Sequence, residues 1–318
     1  MSGYKKTNPE VWTGRTSEQE LSLHEKVKFI DLEKEKTGKT PKSTIALLGY
    51  ACDEGVKRNQ GRTGAAKGPD VIRHQLGKLP NHLKEQTVLL DTGTIACTDS
   101  DMEKAQAHLA EKVALLLKKN TFLILMGGGH DIAYGHYLGL KKYLGGKTLG
   151  IINLDAHFDL RSNETGNNSG TPFYQIAQDH KVEKTTFHYL VLGIRKDANT
   201  SVLFETAKKL GVHYIENETF NMHHLRDVKT TIGRFISEVD HIYLTIDLDG
   251  FSSAYAPGVS APSPMGFAPD IVLEAFKDII DSKKLISLDI AELNPTYDRD
   301  DQTAKLAASL IHFVIHKI

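Results

Sequence analysis

The chain has 318 residues, of which 40% are hydrophobic and 25% charged, and its formal net charge is −1. That balance gives no general attraction to nucleic acid or to an anionic membrane surface. Cys52 and Cys97 are the only cysteines, too few for a disulfide framework or a cysteine-rich zinc site, and they point to a reducing compartment, the cytoplasm. No apolar segment follows the polar residues Met1 to Lys6, so no secretion signal is expected. No apolar run is long enough to span a bilayer.

Residues 1–42 are polar and read as an N-terminal extension. Within it, Ser17 to Glu35 is expected as a surface helix, with Val27 and Ile30 one turn apart. After residue 42 the pattern changes. Short apolar runs recur near residues 45–49, 87–91, 121–126, 149–155, 187–194, 213–215, 241–247 and 285–291. Longer amphipathic stretches separate most of them, among them Met102 to Lys119, Thr200 to Leu210, Pro269 to Asp281 and Thr303 to Lys317. This alternation predicts an α/β protein: three α/β/α layers around a parallel sheet of about eight strands. No linker rich in Pro, Gly or Ser, no repeat and no low-complexity segment interrupts it, so residues 43–318 read as one domain.

Ligands of an open parallel sheet bind beyond the carboxyl ends of its strands. Four unusual sequences fall at such ends. Thr121 to Met126 runs into Gly127-Gly128-Gly129-His130-Asp131. Gly150 to Leu154 runs into Asp155-Ala156-His157-Phe158-Asp159. Ile242 to Ile246 runs into Asp247-Leu248-Asp249, and the last run ends in Asp289-Ile290-Ala291 and continues into Glu292-Leu293-Asn294-Pro295. Each has an ordinary reading on its own. The aspartates could cap helices or sit in a solvated turn, His130 could be a core histidine, and Glu292 could pair with a buried base. The glycines could cradle a phosphate, but they match neither common phosphate-loop pattern.

Together these sequences require another explanation. If Asp155, Asp159, Asp247 and Asp249 converge, each pair about 4 Å apart repels by roughly 4 kcal/mol at an effective dielectric near 20. Divalent cations relieve that repulsion. With His130 and His157 the set holds four carboxylates and two imidazoles, enough for two ions that share bridging carboxylates. Oxygen-rich ligation with imidazole favours Mn²⁺. Paired metals commonly serve hydrolysis.

These motifs resemble those of the ureohydrolases, the arginase and agmatinase group of binuclear manganese enzymes, over nearly the whole chain after residue 43. The carrying sequences are G-G-G-H-D at 127–131, D-A-H-F-D at 155–159, D-L-D at 247–249 with Ala256-Pro257-Gly258, and D-I-A-E-L-N-P at 289–295. The resemblance implies one ion held by His130, Asp155, Asp159 and Asp247, and a second by Asp155, His157, Asp247 and Asp249. It implies that Glu292 grips a cationic amidine or guanidine, and that the enzyme is a homo-oligomer acting on a small molecule.

Further segments are similar to the branch of the family that works in histidine degradation. They are Val11 to Arg15, Ala51 to Arg62, Ser169 to Phe173 and Ala198 to Thr200. Ser169 stands where arginase and agmatinase carry a histidine. The implied reaction is hydrolysis of N-formimino-L-glutamate to L-glutamate and formamide, with Asp249 passing a proton to the leaving amine. That substrate has one amidinium, two carboxylates and no free ammonium. Arginine suits planar carboxylate recognition, and Arg58, Arg62 and Arg195 all follow strands. The expected substrate contacts are therefore Arg58, Asn59, Arg62, Ser169, Arg195, Asn199 and Glu292. An agmatinase or other guanidino-acid hydrolase of the same fold, and a non-catalytic metal-binding protein, are the alternatives. The absent histidine and the extra arginines weigh against the first, and the amidine clamp against the second.

Overall fold

All eight apolar runs become strands in the computed structural model of the protein, which describes residues 3–34, 41 and 43–318. Two short edge strands precede them, β1 (Tyr4–Lys5) and β2 (Lys28–Phe29). The eight are β3 (Thr44–Ala51), β4 (Val88–Ala96), β5 (Thr121–Met126), β6 (Leu149–Leu154), β7 (His188–Ile194), β8 (His213–Glu216), β9 (His241–Asp247) and β10 (Leu285–Ala291). The sheet order is β1-β4-β3-β5-β10-β9-β6-β7-β8, and β2 also pairs with β4. Every pairing is parallel except β1 with β4.

The helices are α1 (Leu23–Lys26), α2 (Glu54–Arg58), α3 (Gly68–Gly77), α4 (Met102–Leu117), α5 (Ile132–Leu144), α6 (Pro172–Glu183), α7 (Ser201–Lys209), α8 (Leu225–Ser237), α9 (Pro269–Asp281) and α10 (Gln302–Ile315). Two hydrophobic clusters, one on each face of the sheet, complete the three layers. Alternate residues of a strand face opposite sides, so Leu47, Ile124 and Ile246 join one cluster and Leu48, Leu125 and Tyr243 the other. Strand β6 is buried along its whole length, as expected where helices cover both faces.

This strand order positions the site. Strands β5 and β6 are consecutive in the chain, yet β10 and β9 lie between them. The four motif-bearing strands are therefore neighbours at the centre of the sheet, in the order β5-β10-β9-β6. The register pairs Ala291 with Asp247, Ile290 with Met126 and Leu154 with Ile246, so their carboxyl ends finish level with one another.

The N-terminal segment differs from expectation. The surface helix expected over Ser17 to Glu35 reduces to the four residues of α1, and Glu35 lies outside the described residues. Glu25 turns its carboxylate back onto Ser17 and Ser22, closing a tight cap. The chain then extends at β2 to pair with β4. Trp12, Leu23, Val27 and Leu32 are buried, so the described part of this segment packs against the domain.

Candidate metal and amidine site

Local chain geometry assembles the site. The Gly127-Gly128-Gly129 turn runs against its neighbours: Gly127 N–H donates to Ile290 O at 2.7 Å, Gly129 N–H to Cys52 O at 2.9 Å, and Glu292 N–H to Gly128 O at 2.8 Å. A Cβ on Gly128 would lie 1.8 Å from Cys52 O, which is why no side chain fits there. The turn delivers His130, whose backbone N–H donates to Glu292 Oε1 at 2.8 Å. Two site residues, Asp159 (φ 49°) and Glu292 (φ 68°), take the left-handed conformation that non-glycine residues seldom adopt. Strain of this kind tends to concentrate at working sites.

The Asp155–Asp159 loop is held by side chains. His157 N–H donates to Asp155 Oδ1 at 2.7 Å, and Phe158 N–H to Asn199 Oδ1 at 3.0 Å. Asn199 Nδ2 in turn donates to Ala156 O and Arg195 O, both at 2.8 Å. Phe158 is fully buried against Phe204 and Tyr214, which points its neighbours His157 and Asp159 toward the opening.

Nδ1 of His130 faces Asp159 at 3.0 Å, Asp247 at 3.2 Å and Asp155 at 3.3 Å. One donor atom from each of these four residues falls within 4.8 Å of the others, matching the first expected ligand set. Nδ1 of His157 faces Asp249 at 3.3 Å and Asp155 at 3.4 Å, and these three form a second group. Asp247, expected in both sets, falls in the first group only. Asp155 is common to the two.

The electrostatics are those of an uncompensated acidic cage. Burial pushes Asp247 well up, reinforced by repulsion from Asp249 and Asp155. Burial also raises Asp249, partly countered by His157 and reinforced by Asp155 and Asp159. Burial would lower both histidines, but neighbouring carboxylates more than offset it and hold His130 and His157 well above the ordinary range. Asp155 is held low, since hydrogen bonds from both histidines outweigh its burial. Glu292 is pushed up to about 8 by burial and then by Asp249. Asp249 Oδ1 is buried with no hydrogen-bond partner among the described residues. Hard oxygen donors with two imidazoles, one buried acceptor lacking a donor, and repulsion that protons only partly relieve together fit a pair of divalent cations.

Beside the cage opens a cavity of about 310 Å³. His130, His157, Asp159, Asp247, Asp249 and Glu292 line its floor, and Asn59, Arg62 and Ser169 its wall. Asn59 Nδ2 donates to Ser169 Oγ at 3.1 Å. Arg62 lies over the Tyr297 ring at 3.8 Å and donates to Val259 O and Ser260 O, at 2.6 and 2.9 Å.

Three residues expected at the substrate lie elsewhere. Arg58 turns away to Glu103 (2.7 Å), Glu54 and the carbonyls of Ser100 and Asn167. Arg195 forms a two-pronged pair with Asp197 outside the cavity. Asn199 spends its amide on the metal loop, as described above. Conversely, the sequence reading passed over Arg161. It lines the cavity, and its one side-chain hydrogen bond among the described residues is to Asn59 Oδ1 at 3.4 Å. No carboxylate among them pairs with it. Its position two residues after Asp159, on the loop that carries the ligands, was the signal available.

No helix among the described residues is long and apolar enough to cross a membrane. The sequence model of the arginase family matches residues 43–316. A formimidoylglutamase of Geobacillus sp. (strain WCH70) is 42% identical over 320 residues, covering 98% of this chain and 97% of its own. The crystal structure of formimidoylglutamase from Bacillus subtilis superposes with a TM-score of 0.80 at 25% identity, covering 96% of this chain and 94% of that one. A Trypanosoma cruzi formiminoglutamase solved with Mn²⁺ has a similar fold, with a TM-score of 0.75 at 23% identity over 86% of this chain and 92% of its own. With its family motifs placed on neighbouring strand ends, the chain belongs to the arginase family.

Proposed function

We propose that this chain is a manganese-dependent hydrolase that converts N-formimino-L-glutamate and water to L-glutamate and formamide. One observation carries the substrate reading: the cavity sets an acidic floor against a wall bearing Arg62 and Arg161, the latter paired with no carboxylate among the described residues. A ligand with one amidinium and two carboxylates complements that arrangement. Agmatine, with no carboxylate, does not. The named activity of the 42%-identical relative supports the same reading.

His130, Asp155, Asp159 and Asp247 would hold one Mn²⁺, and Asp155, His157, Asp249 and Asp247 the other. When bound, such ions acidify water enough for a nucleophile to form near neutral pH. The remaining work falls to the protein. Glu292 meets the amidinium, which supplies the positive charge its buried carboxylate lacks. Asp249, whose Oδ1 has no hydrogen-bond partner among the described residues, takes a proton from the attacking water and hands it to the amine as the bond between that nitrogen and the formimino carbon breaks. Asn59 and Ser169 fix the cavity wall beside the reacting carbon, and Arg161 receives a carboxylate. We place the activity in the cytoplasm, in a homo-oligomer whose catalytic domain spans residues 43–318.

The test is a substrate panel on purified protein supplied with Mn²⁺, with products identified. Formamide and glutamate from N-formimino-L-glutamate are expected. Faster release of urea from arginine or agmatine would overturn the substrate assignment.

A further inference from the structure

His130 is held from both sides, and only one side faces the cage. Its Nδ1 points at three carboxylates, while its Nε2 lies 2.9 Å from Thr245 Oγ1. Thr245 gives its hydroxyl hydrogen to Asp289 Oδ1 at 2.6 Å. A hydroxyl has one hydrogen to donate, so toward His130 it can only accept. The hydrogen of the neutral ring is therefore on Nε2, and the Nδ1 lone pair faces the cage.

Asp289 is itself immobilised. Its Oδ2 accepts from Tyr243 at 2.5 Å and from His136 Nδ1 at 2.7 Å. His136 Nε2 meets Ser287 Oγ at 2.7 Å, and Ser287 anchors on Leu123 O at 2.8 Å. Thr245 and Asp289 are paired in register on β9 and β10, with Tyr243 and Ser287 one step down on the same face. All five side chains, His136 included, are fully buried. A buried carboxylate with three donors and no place in the cavity lining is costly unless it is needed.

We propose that Asp289, acting through Thr245, is a positioning residue. It fixes the ring orientation and tautomer of His130 and thereby sets the affinity of the ion on the His130 side. The proposal rests on the metal-site reading above. Among the described residues His157 has no such connection to Asp289, and its side of the cage serves as the internal control. Partners of this kind are typically worth about 10- to 100-fold in metal affinity.

The test is Mn²⁺ binding by equilibrium dialysis with elemental analysis, alongside circular dichroism and melting. Thr245→Val keeps the volume and removes the hydroxyl. It should bind one ion about 10- to 100-fold more weakly and leave the other unchanged, and Thr245→Ser should restore wild-type binding. Asp289→Asn, close to isosteric, should show the same one-sided loss and gives a second reading if the valine variant does not fold. Wild-type affinity for both ions in either folded variant overturns the proposal. So does equal weakening of both ions that serine fails to rescue, because that pattern marks a merely structural role. An unsubstituted protein that holds fewer than two ions would instead overturn the metal-site reading beneath it.

Discussion

At the residue scale, what separates the arginines is the company each keeps. Arg58 and Arg195 already have carboxylate partners on the surface. Arg161 has, among the described residues, a single long side-chain hydrogen bond, to an asparagine. A charge-assisted hydrogen bond is worth about 1.5–3 kcal/mol, so Arg161→Ala should lower kcat/KM by roughly 10- to 150-fold. If the carboxylate is gripped equally in ground and transition states, the loss appears in KM. Arg58→Ala should change kinetics little, since exposed pairs contribute about 0–1 kcal/mol. Steady-state kinetics on N-formimino-L-glutamate separates the two, and equal losses in both variants would remove Arg161 from the substrate site. The sequence could not make this distinction. Arg58 turns outward because Glu103, 45 positions away at the start of α4, comes within 2.7 Å of it. Nothing local to Arg58 encodes that neighbour. The clustered acids and histidines were legible as a candidate metal site for the opposite reason: charge at the end of an apolar run has few explanations.

At the scale of elements, apolar runs announced eight strands, but β1 and β2 are two residues each and too short to show a period. Their signal is tertiary and centres on Asp91 of β4. This fully buried carboxylate accepts from Thr7 Oγ1 at 2.7 Å, Trp12 Nε1 at 2.8 Å and Arg73 of α3 at 2.7 and 3.1 Å. It fastens the N-terminal segment and α3 to the same point of the sheet. Asp91→Ala would leave the buried Arg73 guanidinium with only the exposed carboxylate of Asp70, at 3.1 Å, as counter-charge, and removing the buried partner of such a pair costs about 3–5 kcal/mol. Trp12→Phe keeps the ring packing and loses only the donor, so it should cost less, about 1.5–3 kcal/mol. Denaturant unfolding measures both. An alanine variant no less stable than the phenylalanine one would show that Asp91 does not bind the segment to the sheet.

At the scale of the whole molecule, the metal cage is a fault line through the middle of the sheet unless cations fill it. Without metal, Glu292 has its pKa raised from 4.5 to about 8, and Asp247, Asp249, His130 and His157 are raised too. A group whose folded pKa is raised contributes its full stability below the unfolded pKa, and loses it as pH rises through the folded value. For Glu292 that window runs from 4.5 to about 8. Asp155 has the opposite sign, but its loss comes as pH falls below 3.8, and the half-buried His180, His188, His241 and His316, held below 6.5, oppose the trend only below 6.5. The metal-free protein should therefore become less stable as pH rises from about 6.5 to about 8. Manganese should act in the other direction, because it competes with protons for the same ligands and binds better as they ionise. At a hundredfold excess over Kd a ligand adds about 2.7 kcal/mol. The melting temperature in Mn²⁺ should thus exceed that in chelator, and the gap should widen steadily across this range. Calorimetry at several pH values would show it. A gap that stays flat or narrows would mean that the carboxylates at the sheet centre are not the groups the metal binds.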